Sequence, residues 1–303
     1  DRMGIDTCDM RIRNLTGKGQ NIGHGPNNPA YLDDARVLEL IQQAYDEGYT
    51  GVRFNWAFDS MCPEPGAVNS ERLLFIVHAL AERGMIAWAV HQAGPYPNQP
   101  KWRYLAAEQS WHPCLPTTRI QGAVIDSINV ALKDVWWMLN DGGYDPRQVF
   151  HFQAGNEHGD GGRGDETRPQ NDEKPKSGTG KLSPGMASWL ERLMLGVNTL
   201  GMPLIGPGLE CQADSARQEI WNITSHPWMR RADIIDVHCY DDVDGNAADK
   251  LRDLLAWLGG RDEFIGGRPV WIGETGGTGD PRQQCNALLA LGVECVGWLG
   301  SSS

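Results

Sequence analysis

The chain has 303 residues, 40% of them hydrophobic, with 27 basic against 39 acidic side chains and a formal net charge of −12 at pH 7. That apolar share supports a substantial core, while the acidic balance argues against nucleic acid as the main partner and suits a neutral or basic ligand. No window approaches the roughly 18 to 20 continuous apolar residues of a membrane span and no basic-then-apolar segment opens the chain, so a soluble protein without a membrane partner is expected; because the sequence begins at Asp1, a removed leader and secretion stay open.

A weak first strand is expected near 19–22. An amphipathic helix over 34–47, with Val37, Ile41, Ala44 and Tyr45 on one face, stops at Gly48 and leads into the strand-like GVRFNW. The order recurs down the chain. A helix over 70–83 stops at Gly84 before MIAWAVH, and one over 121–140 stops at Gly142 and Gly143 before VFHFQAGNE. Helices over 183–200, 246–258 and 281–291 stop at Gly201, Gly259 and Gly292 before PLIGPG, PVWIGE and VECVGW, and only the approach to IIDVHCY lacks the glycine.

Continuously apolar strands alternating with helices belong to a parallel sheet covered by helices. Eight strands and seven intervening helices give an α/β fold, a (β/α)8 TIM barrel built as a single domain over 1–303. Only LGSSS follows the last strand, so the last helix is missing: either a longer polypeptide has been cut, which is the expectation, or another domain, subunit or the N-terminal segment covers that flank. An open doubly wound sheet is the rival, but GKGQNIGHG lacks the GxGxxG spacing and SGTGKLS lacks the upstream glycine of a phosphate loop.

Seven scattered cysteines show no CxxC or zinc spacing, and Cys239 and Cys295 lie in apolar runs where a thiol acts as a small hydrophobe; one or two disulfides stay open. The stretch 159–184, almost without apolar residues, is a loop insertion, read either as a lid or cleft wall or as a solvated insertion without a catalytic role. DDVDGN from Asp241 misses calcium-loop spacing, and no zinc motif is present, so no metal is expected.

Two strand ends carry the chemistry. VFHFQAGNE delivers Asn156 and Glu157, and RPVWIGETG delivers Glu274: two carboxylates that can converge on one cleft, the equipment for cleaving a glycosidic bond. In a barrel the active site is built at the carboxyl ends of the strands. These end in Asn21 and His24, Arg53 with Asn55 and Trp56, His91, Asn156 with Glu157, His238 with Tyr240, Glu274, and Trp298. Taken singly each has a bland alternative: Arg53 pairing a neighbouring carboxylate, His91 or His238 as satisfied core histidines, Trp298 as packing.

Together, VRFN with Arg53, AVHQ with His91, GNEH with Asn156 and Glu157, VHCY with His238 and Tyr240, IGET with Glu274 and VGWLG with Trp298 resemble the retaining glycosidases of clan A, most closely glycoside hydrolase family 5, the cellulase and mannanase family. The chain departs from that family at His158, where proline is common, and in lacking tandem histidines on the third strand. The resemblance implies a cofactor-independent retaining hydrolase acting on a β-linked glucan, mannan or related carbohydrate, with Glu157 as acid/base and Glu274 as nucleophile. Retention needs the two carboxyl groups about 5 to 5.5 Å apart. Arg53 and Tyr240 are expected to hold Glu274 ionised, and Asn156 to bind the 2-hydroxyl of the sugar. His91 and His238 would bind hydroxyls or tune the acid, and Trp298 would lie under a pyranose ring.

Sugars pack their C–H faces on aromatic rings, and 12 tryptophans are available. Trp102 and Trp111, in the loop after the third strand, are the subsite candidates, with Trp56 and Trp88 behind them; Trp136, Trp137, Trp189 and Trp257 lie on helices and read as core or outer-shell residues. A carbohydrate-binding barrel without turnover is the alternative function, endo and exo action are both open, and further domains of a longer polypeptide are candidate partners.

Overall fold

A computed structural model of the chain describes residues 11–14, 33–56, 68–91, 102–105, 110–113, 121–155, 184–210, 226–240, 246–259, 267–276, 281–293 and 295–298. The strands are β1 (Arg11–Asn14), β2 (Gly51–Trp56), β3 (Ile86–His91), β4 (Trp102–Leu105), β5 (Ser110–Pro113), β6 (Phe150–Gln153), β7 (Leu204–Ile205), β8 (Leu209–Glu210), β9 (Ile235–Tyr240), β10 (Val270–Gly276) and β11 (Cys295–Trp298). The helices are α1 (Asp34–Asp46), α2 (Glu71–Ala81), α3 (Gln121–Asp141), α4 (Pro146–Val149), α5 (Pro184–Gly196), α6 (Ala247–Gly259) and α7 (Pro281–Leu289), with a 3-10 turn at Pro227–Arg231 before β9.

Nine strands form one parallel sheet in the order β7-β6-β3-β2-β1-β11-β10-β9-β8. β7 and β8 are two halves of one segment, and a parallel bridge between Ile205 and Ile234 joins β7 to the chain entering β9. The sheet therefore closes on itself: eight strand positions, each paired in parallel with both neighbours, form a (β/α)8 barrel. Closure leaves this nine-stranded sheet no free edge.

One expected element is displaced. The position between β11 and β2 is filled by Arg11–Asn14, upstream of the 19–22 segment expected there. The sequence RIRN holds one apolar residue, Ile12, so no hydrophobic run marks it; parallel pairing to both neighbours makes it a strand. The antiparallel pair β4 and β5 is an excursion after β3 that the repeating pattern does not announce. The polar stretch 159–184 lies outside the described residues up to 183, and α5 starts at Pro184.

Local chemistry sets the other boundaries. Asp33 caps α1 by accepting from Arg36 N at 2.8 Å, and Val37, Ile41 and Ala44 bury one face of that helix. The helix ends at Gly48, whose φ of +82° a residue with Cβ adopts at a cost. Strand alternation then sorts side chains into two layers. Val52, Phe54, Ala87, Ala89, Phe150, Phe152, Val237 and Ile272 face the helices in the main core, while Trp88, Val90, Ile205, Ile234 and Trp271 form a second cluster inside the barrel. Cys239 and Cys285 are buried in the core. Among the described residues no helix is long and apolar enough to cross a membrane.

Candidate active site

Above the inner apolar cluster the barrel interior turns polar. Arg53 on β2, Gln153 on β6, Asp236 and His238 on β9, and Glu274 on β10 are all buried. The Arg53 side chain is 0% exposed and donates from Nη1 to Glu274 Oε1 at 2.7 Å and from Nε to Gln153 Oε1 at 3.1 Å. Its guanidinium lies over the Trp88 ring, 5.3 Å from the centroid, a cation–π contact that partly offsets the loss of water. The Tyr240 hydroxyl donates to the other oxygen of Glu274, so the carboxylate is held on both sides by groups that stabilise its charge.

Asp236 is the second buried carboxylate. Oδ2 accepts from Gln153 Nε2 at 2.7 Å and lies 3.1 Å from His238 Nε2, and Oδ1 accepts from the Gly273 amide at 2.7 Å. Because a carboxylate only accepts, Nε2 of His238 carries the proton, and Nδ1 faces Glu274 Oε2 at 3.7 Å. Arg53 Nη2 stands 3.9 Å from Asp236 Oδ2, so one guanidinium lies between two carboxylates and favours Glu274.

The way β10 presents Glu274 depends on a bulge. Trp271 and Glu274 both face inward although they are three residues apart, an odd spacing that puts residues on opposite faces of a regular strand. The register with β9 slips between Ile272 and Glu274, leaving Gly273 as the extra residue. A Cβ at Gly273 would lie 2.3 Å from Asp236 Oδ1, so glycine is what allows Asp236 to grip the bulge. Gly208 plays a matching part: a Cβ there would meet the His238 ring at 2.7 Å.

Of the residues singled out from sequence, Arg53, His238, Tyr240 and Glu274 come together in this cluster. His91 and Trp56 do not. Trp88 and Val90 take the barrel side of β3 and Arg53 and Asn55 that of β2, so His91 and Trp56 turn toward the helices. There they pack with Phe152, and His91 also with Trp189, at ring separations of 5.9 to 6.3 Å. Trp102 and Trp111 lie on the β4/β5 pair, and Trp298 lies on β11 in register with Thr275, the neighbour of Glu274. Asn21, His24, Asn156 and Glu157 lie outside the described residues.

Gln153 and Asp236 are the members of the cluster that motif reading missed. The signal was present: each is a polar residue embedded in an apolar strand, FHFQ and IIDVH, at the parity of an inward-facing neighbour. His151, two residues before Gln153 on the same face, packs against Trp271 at 5.2 Å. Burial pushes its pKa down from 6.5 to about 4, so it is neutral at neutral pH. Among the described residues no cluster of His, Cys, Asp or Glu could hold a metal ion.

No family model matches the sequence, and no curated protein matches it. Solved structures do share the fold. An exo-β-1,4-mannosidase from an Opitutaceae bacterium aligns over 96% of this chain and 51% of its own with a TM-score of 0.58 and 15% identity. A GH30 endoxylanase from Clostridium papyrosolvens aligns over 96% and 64% with a TM-score of 0.55 and 12% identity. A glycoside hydrolase of family 5, subfamily 18, from Streptomyces cattleya, solved in complex with GlcNAc, aligns over 96% and 70% with a TM-score of 0.57 and 15% identity. The chain spans about half to two thirds of the length of the first two. At such identities the likeness is one of fold, and the fold is the barrel expected from the resemblance to clan A.

Proposed function

We propose that the chain is a retaining β-glycoside hydrolase in which Glu274 is the nucleophile and Glu157 the acid/base. The observation that carries the reading is the treatment of Glu274: a nearly buried carboxylate at the carboxyl end of a barrel strand, clamped by Arg53 on one oxygen and Tyr240 on the other. Groups so arranged keep a carboxylate charged and oriented for attack. In the first half-reaction Glu274 forms a bond to the anomeric carbon as the glycosidic C–O bond breaks and Glu157 gives its proton to the departing oxygen. In the second, Glu157 takes a proton from water, which displaces Glu274 and restores both groups. Asn156, one residue before the acid/base, serves the 2-hydroxyl, and Trp298 serves the sugar face. The substrate class is a β-linked glucan, mannan or related polysaccharide.

The test is product release from β-glucans, mannans, xylans and galactans, wild type beside Glu274→Ala, with the anomer of fresh product read by proton NMR. Cleavage by wild type alone, giving the retained β-anomer, is the expected result. Inverted product, or equal cleavage by Glu274→Ala, would remove Glu274 from the nucleophile role.

A further inference from the structure

We propose that Gln153 is a positioning residue that fixes the direction in which Arg53 presents its guanidinium to Glu274. The inference deepens the glycosidase reading of this site, and its kinetic consequences rest on that reading.

A primary amide offers two N–H donors and an oxygen with two lone pairs. In Gln153, which is 0% exposed, all four are used. Nε2 donates to Asp236 Oδ2 at 2.7 Å and to the Gly155 carbonyl at 2.8 Å. Oε1 accepts from Trp88 Nε1 at 2.7 Å and from Arg53 Nε at 3.1 Å. The orientation of the amide is forced by chemistry. Indole and guanidinium only donate, carboxylate and carbonyl only accept, and a flipped amide would set each group against its like.

The consequence falls on Arg53. Glu274 and Asp236, with side chains 3% and 0% exposed, compete for one guanidinium. An unanchored guanidinium between two carboxylates can swing to form the bidentate pair that its fork favours, and Asp236 is within reach at 3.9 Å. Gln153 prevents this in two ways. It holds Nε on its own oxygen, and it covers Asp236 Oδ2 with an N–H. Arg53 Nη1 thereby points to Glu274 Oε1 at 2.7 Å. The same amide tethers the Gly155 carbonyl, which also accepts from Gly208 N at 3.1 Å, so the chain leading into Asn156 and Glu157 starts from a point tied to the Arg53 network. Neutrality matters as much as shape. A carboxylate at this place would set three acids around one guanidinium and would have no donor for Asp236.

The experiment uses the full chain and compares wild type, Glu274→Ala, Gln153→Leu and Gln153→Glu. The kinetic readout is kcat and KM across pH on an aryl β-glycoside of the sugar found by the polysaccharide panel. The second readout is the Arg53 Nε–H signal in a proton–nitrogen correlation spectrum, assigned by its loss in Arg53→Lys. Gln153→Leu is expected to lower kcat roughly ten- to a hundredfold while KM moves less than about threefold. Cooperative unfolding is retained, and the Arg53 signal loses its protection from exchange. Gln153→Glu keeps the acceptor for Arg53 and Trp88. Its rate relative to wild type should recover as the pH falls, because protonation returns a donor to Asp236; among the described residues Arg53, His238, Glu274 and His151 are the other charged or titratable groups around it, and the ratio to wild type cancels their own titration. A merely structural glutamine would show neither the kcat-only effect nor that recovery. A Gln153→Leu variant with kcat within twofold of wild type and an unchanged Arg53 signal overturns the inference and leaves the glycosidase reading intact. If wild type cleaves no glycoside while the Arg53 signal still depends on Gln153, the positioning role stands and the glycosidase reading falls.

Discussion

Gly273→Ala tests how β10 aims Glu274. The added Cβ would lie 2.3 Å from Asp236 Oδ1, 2.7 Å from Oδ2 and 2.8 Å from Cγ. The carboxylate cannot simply swing away, since Gln153 and His238 hold Oδ2 and the Gly273 amide holds Oδ1. Overpacking a buried site costs about 1 to 3 kcal/mol, and loosening a hydrogen bond to a charged group adds about 1.5 to 3 kcal/mol. Together they predict a loss of about 2.5 to 6 kcal/mol. At about 2 °C per kcal/mol for a chain of this size, the melting temperature falls by roughly 5 to 12 °C. Gly48→Ala is the control: φ is +82° and nothing lies within 4 Å of the new Cβ, so only conformational strain of about 1 kcal/mol is expected. Urea unfolding and calorimetry of the two variants decide the matter. If Gly273→Ala loses no more stability than Gly48→Ala, Asp236 does not clamp the bulge as described.

Arg53→Ala leaves Glu274 and Asp236 buried without their guanidinium, and the variant should lose about 3 to 5 kcal/mol of stability in denaturant unfolding; turnover by the folded fraction should fall by roughly a hundredfold, the scale of one lost electrostatic contact. His151 gives a pH prediction. Its pKa is lowered to about 4 in the folded protein against 6.5 when exposed, so the unfolded chain binds the proton first as pH falls. The stability contributed by the neutral ring is complete above about pH 6.5 and is lost progressively down to about pH 4, a change of about 3 kcal/mol. Replacing the ring by an apolar side chain, His151→Leu, should flatten the unfolding free energy across that window; an unchanged slope would mean that the ring is not the group titrating.

Much of the fold was legible because its signals are local. The helix ending at Gly48, the helix ending at Gly84 and the apolar runs of β2, β3, β9 and β10 announce themselves by periodicity and by the residue that stops each helix. Arg11–Asn14 does not, because a strand defined by two parallel neighbours needs no apolar run of its own. The site was legible by strand and not by face. Reading VRFNW and IAWAVH as ends gathers Arg53, Trp56 and His91 together, whereas alternation separates them: Arg53 enters the barrel while Trp56 and His91 enter the helix layer. The same alternation would have found Gln153 from His151 and Asp236 from His238. It would have failed at Glu274, where the Gly273 bulge breaks parity, and there the motif was the better guide.

The polar cluster works because of what lies beneath it. Trp88, which the Arg53 guanidinium overlies, packs against Trp271 at a ring separation of 5.4 Å, and Trp271 packs against His151 at 5.2 Å, all three buried. A dry floor makes each charge contact above it stronger than it would be in water, and it makes any unpaired charge more costly. That sets a condition on His151. A protonated ring would place a second cation beneath the two carboxylates that Arg53 already serves and would draw them down toward the floor. Desolvation keeps the ring neutral, so the electrostatic pull on Glu274 comes from Arg53 above the aromatic layer, in the direction Gln153 imposes. Aromatic floor, neutral histidine and glutamine anchor thus act on one variable, the orientation of a single guanidinium.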